Sequence, residues 1–260
     1  MSLYCNGALA RAEDLAGTLV NYGHFTSLQV RGGAVQGLDL HLRRLLQGTV
    51  RLFGTSLEGT QVQRWIAEAL QAQDEVDASV RVTVFSRAFD FRDPLKAVPV
   101  DVLVAVSAPV SVSAQPRRVR SVAYQREMPE LKHVGTFPLF QQRRLALQAG
   151  FDDALFVDAR GQVSEGTTWN VAFARGNEVV WPQAEALRGT HERLLQAGWG
   201  GEPVVRPIGL ADLGQFDAAI ACNSAGVWPV GSVDEQVFPE SAALCARAIE
   251  ALSATRWDPL

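Results

Sequence analysis

Lysine is nearly absent from this chain. Of 24 basic residues in 260 positions, only Lys96 and Lys132 are lysine; the rest are arginine. Cysteine is scarce as well: Cys5, Cys222 and Cys245 are odd in number and far apart. That excludes a disulfide framework or a cysteine zinc site and predicts reduced thiols in a cytoplasmic protein. The four histidines, His24, His41, His133 and His191, lack metal-ligand spacing, so no metal is expected. No apolar run approaches the roughly 18 to 20 residues that span a bilayer. The first residues, Met1-Ser2-Leu3-Tyr4-Cys5, lack a basic region followed by an apolar core, so no secretory signal is expected. An excess of positive charge is missing too. The net charge is −4, which argues against a nucleic-acid footprint. The small cluster Arg117, Arg118 and Arg120 reads as a solvated linker.

What is present is an ordinary globular balance, 47% hydrophobic and 20% charged, in a chain long enough for one large core or two smaller ones. Residues 24–30 and 34–40 read as a hairpin around Arg31-Gly32-Gly33. An amphipathic helix is predicted from His41 to about Phe53. Another carries Val62, Trp65, Ile66, Ala69 and Leu70 at helical spacing. Strands are predicted at 79–86 and 100–107. Residues 108–118, rich in Pro and Ser, mark a boundary. We expect an N-terminal domain over 1–108, a linker at 109–118 and a C-terminal domain over 119–260. The second half holds short strands at 119–123, 154–157, 162–164, 171–174, 204–207 and 218–222. Helices are predicted at 136–149, from Gly189, and from Ser241 to about Ser253. The class is α+β.

Lys132 is the first candidate for chemistry. Lysine, unlike arginine, can lose its proton near neutral pH and attack a carbonyl as an amine. Glu165 follows a strand-turn-strand and precedes Gly166-Thr167-Thr168. A carboxylate there suits a cationic ligand nitrogen. Leu187-Arg188-Gly189-Thr190-His191 opens a helix whose free N–H groups and dipole favour an anion. The turn at Asn223-Ser224-Ala225-Gly226 offers N–H groups and a hydroxyl to phosphate oxygens. Arg43 and Arg44 begin a helix; their side chains point about 100° apart, so one can turn inward toward an anion. Each of these also has a plain structural reading as a surface residue, a helix start or a turn.

In this order, Tyr22-Gly23-His24-Phe25-Thr26, HLRRL, LKH, GFDDALFVDARGQVSEGTTWN, LRGTHERLL and NSAGVWPV resemble the fold-type IV pyridoxal-phosphate enzymes. That family includes branched-chain aminotransferases, D-amino-acid and (R)-amine transaminases, and 4-amino-4-deoxychorismate lyases. The resemblance runs from about Asn6 to Val230. It implies a two-domain fold, with a small α/β sandwich first and a strand-rich pseudo-barrel second. It implies pyridoxal 5′-phosphate as cofactor and a homodimer as the working form. Lys132 matches the lysine that forms the Schiff base and moves the proton. Glu165 matches the carboxylate facing the pyridine nitrogen. Arg44, Thr190, His191 and Ser224 match phosphate-binding positions. Tyr22, His24 and Trp228 are substrate candidates by position, and His24 is equally readable as a satisfied strand histidine.

The implied reaction is transfer of an amino group from an amino acid or (R)-amine to a 2-oxo acid. The alternatives are pyruvate elimination from aminodeoxychorismate and a cofactor-binding homologue without turnover. The chain departs from the family pattern in places. Phe137 stands where branched-chain enzymes have a tyrosine. Gly135 stands where the lyases commonly have asparagine. His191 is unusual in the phosphate motif, and the 223–229 loop is one residue shorter than in the lyases.

Overall fold

The structure is a computed structural model that describes residues 1–200 and 202–260. It divides into two compact units. The first is Met1–Val110 with Leu131–Gly135 and Arg256–Leu260; the second is Ser111–Glu130 with Thr136–Thr255. The segment carrying Lys132 therefore packs with the first unit, although its chain position lies inside the second.

The first unit contains β1 (Ser2–Cys5), β2 (Ala8–Leu9), α1 (Ala12–Leu15), β3 (His24–Val30) and β4 (Ala34–Gln36). Then come α2 (Leu38–Phe53), α3 (Gly59–Gln71), β5 (Ala78–Phe85) and β6 (Asp101–Ser107). Its sheet has the order β2-β1-β6-β5-β3, antiparallel throughout. Alternation explains the layering. Ala78, Val80, Val82 and Val84 of β5 are buried, whereas Ser79, Arg81 and Thr83 are only partly so. Their core includes Leu45 and Phe53 of α2 and Val62, Ile66 and Ala69 of α3.

The predicted hairpin at 24–40 is corrected in part. Gly32 and Gly33, with φ of +54° and +73°, do make a turn closed by Arg31 and Ala34. Beyond that single bridge, β3 pairs with β5, and β4 pairs with the C-terminal segment Trp257–Pro259. Residues 38–40 are helical. Gly37, with φ of +64°, ends the extended run. Leu38, His41 and Leu45 then fall on one helical face and are all buried.

The second unit contains β7 (Arg117–Ala123), α4 (Phe137–Gln148), β8 (Asp153–Val157), β9 (Val163–Gly166), β10 (Asn170–Arg175) and β11 (Glu178–Pro182). After these come α5 (Thr190–Gly198), β12 (Val204–Arg206), β13 (Ala218–Asn223), β14 (Gly226–Val233), β15 (Gln236–Val237) and α6 (Ser241–Ser253). The sheet order is β12-β11-β10-β13-β14-β7-β8-β9, with β15 on β14. The sheet curls until its ends meet. The Val163 N–H donates to the Ile208 carbonyl at 2.8 Å, and the Leu210 N–H to the Gly161 carbonyl at 2.9 Å.

Both faces of this sheet are covered, so its strands are apolar without alternation. Val171, Phe173, Ala219 and Ala221 point to the inner core with Trp169, Phe216 and Trp228. Ala172, Ala174, Ile220 and Cys222 pack outward on Leu195 of α5 and Leu244, Cys245, Ala248 and Leu252 of α6. Helix α4 rests Leu139 and Ala146 on Ala154 and Phe156 of β8. Among the described residues, no helix is long and apolar enough to cross a membrane.

Candidate active site

In the first unit, Lys132 is held by its backbone. The Phe25 N–H donates to the Lys132 carbonyl at 2.9 Å, and the Val134 N–H to the Gly23 carbonyl at 3.0 Å. The segment thus adds to β3 as a short extra strand, with His24 opposite His133. The half-buried amine lies 4.9 Å from the centre of the Phe25 ring. The guanidinium carbon of Arg81, on β5, lies 3.5 Å from the centre of the same ring. Both basic side chains thus contact the same aromatic ring. Gly135 leaves room for a neighbour: a Cβ there would come 3.1 Å from His133 Nδ1. An asparagine in that position would crowd the imidazole.

Arg44 projects from α2. Its Nη2 donates to Thr26 Oγ1 at 2.6 Å, and Thr26 Oγ1 lies 2.7 Å from His41 Nδ1. Thr26 and His41 are fully buried, so β3 and α2 together fix the arginine. His24 lies deeper. Its Nε2 is 3.1 Å from Thr49 Oγ1, and its ring covers Gly48, where a Cβ would come within 2.8 Å of Nδ1. Burial, with the nearby charge of Arg44, pushes the imidazole down to about 4, so it is neutral at physiological pH. Tyr22 stacks on Phe89 and donates its hydroxyl to the Leu52 carbonyl at 3.3 Å. Tyr22 and His24, two of the three positions raised as substrate contacts, therefore already have protein partners.

In the second unit, Glu165 is 3% exposed at the end of β9. Its Oε1 accepts from Arg126 Nε at 2.9 Å and from the Leu187 N–H at 3.3 Å. The Trp169 ring requires glycine at 166, because a Cβ there would sit 1.9 Å from it. Asn170 ties β10 to the start of α5, donating to the Leu187 carbonyl at 2.7 Å and accepting from the Gly189 N–H at 3.2 Å. Glu192, nearly fully buried, pairs with Arg188 at 2.8 Å and caps Gly189.

Thr190 and His191 open α5, and both are buried. His191 Nδ1 is buried and has no hydrogen-bond partner among the described residues. Burial pushes its imidazole down to about 4 as well. Asn223 holds its own loop through the Ala225 N–H at 2.9 Å and the Thr168 carbonyl at 3.2 Å, with partly exposed Ser224 at its tip. Trp228 is 2% exposed inside the barrel core, edge-on to Trp169 and beneath Arg117.

Arg126, Asn170 and Arg81 were not anticipated from sequence. Asn170 lies in the GTTWN motif, and Arg81 falls on the polar face of an alternating strand. Nothing local marks Arg126.

Residues 23–233 match the family model for class IV amino-transferases. This chain belongs to the class IV aminotransferases. A relative from Methanocaldococcus jannaschii, provisionally assigned as a branched-chain-amino-acid aminotransferase, is 25% identical over 92% of this chain and 90% of its own length. The T.th. branched-chain amino acid aminotransferase, solved with pyridoxamine 5′-phosphate, superposes with a TM-score of 0.84 at 19% identity, covering 97% of this chain and 92% of that one. A provisionally assigned 4-amino-4-deoxychorismate lyase from Legionella pneumophila superposes with a TM-score of 0.80 at 19% identity, covering 91% and 92%. This class IV aminotransferase has the α+β fold expected of it, a small layered unit and a curled half-barrel.

Proposed function

We propose that this enzyme moves an amino group from an amino acid or an (R)-amine to a 2-oxo acid, using pyridoxal 5′-phosphate carried on Lys132. The single observation that carries this reading is the placement of Lys132. In a chain with two lysines, one lies in a segment held by two backbone hydrogen bonds to Phe25 and Gly23, with its amine against the Phe25 ring. The donor set suits an aldehyde phosphate with a basic ring. Lys132 offers an amine. Arg44, the α5 start at Thr190 and His191, and the loop at Ser224 offer charge and N–H groups to a phosphate. Glu165, paired with Arg126, offers a buried carboxylate to a ring nitrogen. When bound, the cofactor supplies an electron sink for the charge left as the substrate loses its Cα proton. Lys132 takes that proton and returns it.

A second reading, elimination of pyruvate from aminodeoxychorismate, is supported by the LKH motif at 131–133, the NSAGVWPV run at 223–230 and the likeness to the Legionella structure. We also propose a homodimer. Helix α4 supports it by exposing Phe137, Phe140, Leu145 and Leu147, an apolar surface suited to a second copy. Three buried free thiols support a cytoplasmic setting.

The test is direct. Purified protein supplied with the cofactor should turn yellow, and borohydride should fix the label to Lys132. Protein that stays colourless overturns both readings. If an amino donor alone bleaches the band, transamination is indicated; pyruvate release from aminodeoxychorismate indicates the lyase. Light scattering reports the dimer.

A further inference from the structure

Glu165 is not alone in the barrel. Arg126, in the segment after β7, is 4% exposed, and the two side chains meet at 2.9 Å with only 3% of each reaching solvent. Pairs this buried seldom exist for stability. Desolvating two charges costs several kcal/mol, and apolar replacements of similar volume are often neutral or better. A buried pair is therefore a reason to ask what needs the charge.

The geometry narrows the answer. Arg126 Nε and the Leu187 N–H both bind Oε1 of Glu165. Two donors on one oxygen fix the carboxyl plane and so the direction of Oε2. Leu187 is in turn tied through its carbonyl to Asn170, which also holds the Gly189 N–H at the start of α5. The carboxylate thus belongs to the same hydrogen-bonded frame as the candidate phosphate loop. Without a cation, a carboxyl this buried is driven toward its neutral form. A neutral acid cannot stabilise positive charge on a ring nitrogen.

We propose that Arg126 is a positioning residue. It keeps Glu165 ionised and aims its second oxygen, and so sets the protonation of the cofactor ring without touching the cofactor. This rests on the reading that Glu165 faces the ring nitrogen.

The test compares wild type, Glu165→Gln, Arg126→Gln, Arg126→Lys and the double variant R126Q/E165Q, each supplied with pyridoxal 5′-phosphate. The readouts are the absorption spectrum across pH, the cofactor dissociation constant from fluorescence quenching, and thermal melts to verify folding. If Arg126 acts through Glu165, R126Q reproduces the E165Q spectrum and pH profile. The double variant then matches E165Q alone, and its dissociation constant lies within about threefold of that variant's. R126K, which keeps a cation, stays close to wild type.

Three outcomes overturn the proposal. One is a folded R126Q with wild-type spectrum and affinity. Another is an R126K as altered as E165Q, which would show that the charge is not what matters. The third is additive effects in the double variant, the mark of a merely structural role. Should E165Q itself leave spectrum and affinity unchanged, the reading of Glu165 falls and this proposal falls with it. R126K and the double variant, in which both charges leave together, keep the test decisive if R126Q does not fold.

Discussion

The two units hold their candidate side chains by opposite means. In the first, Arg44 is steadied by Thr26, which also meets His41, and Lys132 is placed through its backbone. In the second, the carboxylates are sunk in the core and each is matched by an arginine: Glu165 by Arg126, and Glu192 by Arg188. Hydrogen bonds of this kind each contribute about 0.5–3 kcal/mol, more where one partner is charged, and fail gently. A buried charge that loses its partner is an uncompensated ion, and its cost is far larger. Function and stability should therefore separate in the first unit and fall together in the second.

The largest expected effect is on chemistry in the first unit. Lys132→Ala removes the amine while leaving the backbone bonds of its segment. Turnover should fall by about 10²–10⁴-fold or more, with the thermal midpoint little changed. A collapse of the melt together with the activity would break the contrast between the units.

In the second unit, Arg188→Ala should cost about 3 kcal/mol, near the low end for a broken buried pair because Arg188 is partly exposed. Burial already raises the Glu192 carboxyl, and Arg188 opposes that rise. In the variant the folded-state value goes higher still. A carboxyl with a raised folded-state value stabilises the fold below its unfolded value and loses that contribution as pH rises. The deficit relative to wild type should therefore shrink as pH falls through the acid range. Urea midpoints at several pH values test this, and a deficit that does not vary with pH would count against it.

One prediction concerns both units alike. His24 and His191 each titrate near 4 in the folded protein against 6.5 unfolded, chiefly because both are buried. Above 6.5 neither state is protonated and the stability is fully present. As pH falls from 6.5 toward 4, the unfolded chain takes up protons that the folded one refuses. Each histidine then forfeits about 3 kcal/mol by linkage. Unfolding curves should show this slope, and His24→Asn should remove about half of it. An unchanged slope would mean that another group dominates.

The smallest effect returns to the first unit. Thr26→Val keeps the shape and removes the hydroxyl that Arg44 and His41 share. Cofactor affinity should weaken about tenfold, while Thr26→Ser should retain it. A large loss of stability in the valine variant would make Thr26 resemble the charged pairs of the second unit.

Much of the fold was legible in the sequence. Helix α3 was readable because Val62, Ile66, Ala69 and Leu70 recur at helical spacing, and all four are buried. Strand β5 was readable because one face is dry and the other is not. Strands β11 and β14 were harder. They are buried on both faces, so their residues do not alternate, and Pro229 sits within β14 opposite Ile220. The pairing of β3 was misread because the turn at Gly32 and Gly33 looks the same whether or not the strands beside it stay together.

The site shows the same divide. By itself the sequence determined the chemistry on offer: a rare lysine, a carboxylate after a turn, a helix start rich in small residues, and an order of motifs that marks the family. These are properties of residue type and spacing. Only the tertiary structure decided which neighbours those groups have. It placed Leu131–Gly135 on β3, gave His24 to Thr49, sealed Trp228 in the core and paired Glu165 with Arg126. Glu165 and Arg126 stand 39 positions apart. No local periodicity reports on such a distance; the pair exists because the fold brings the segment after β7 onto β9 in a place that excludes water.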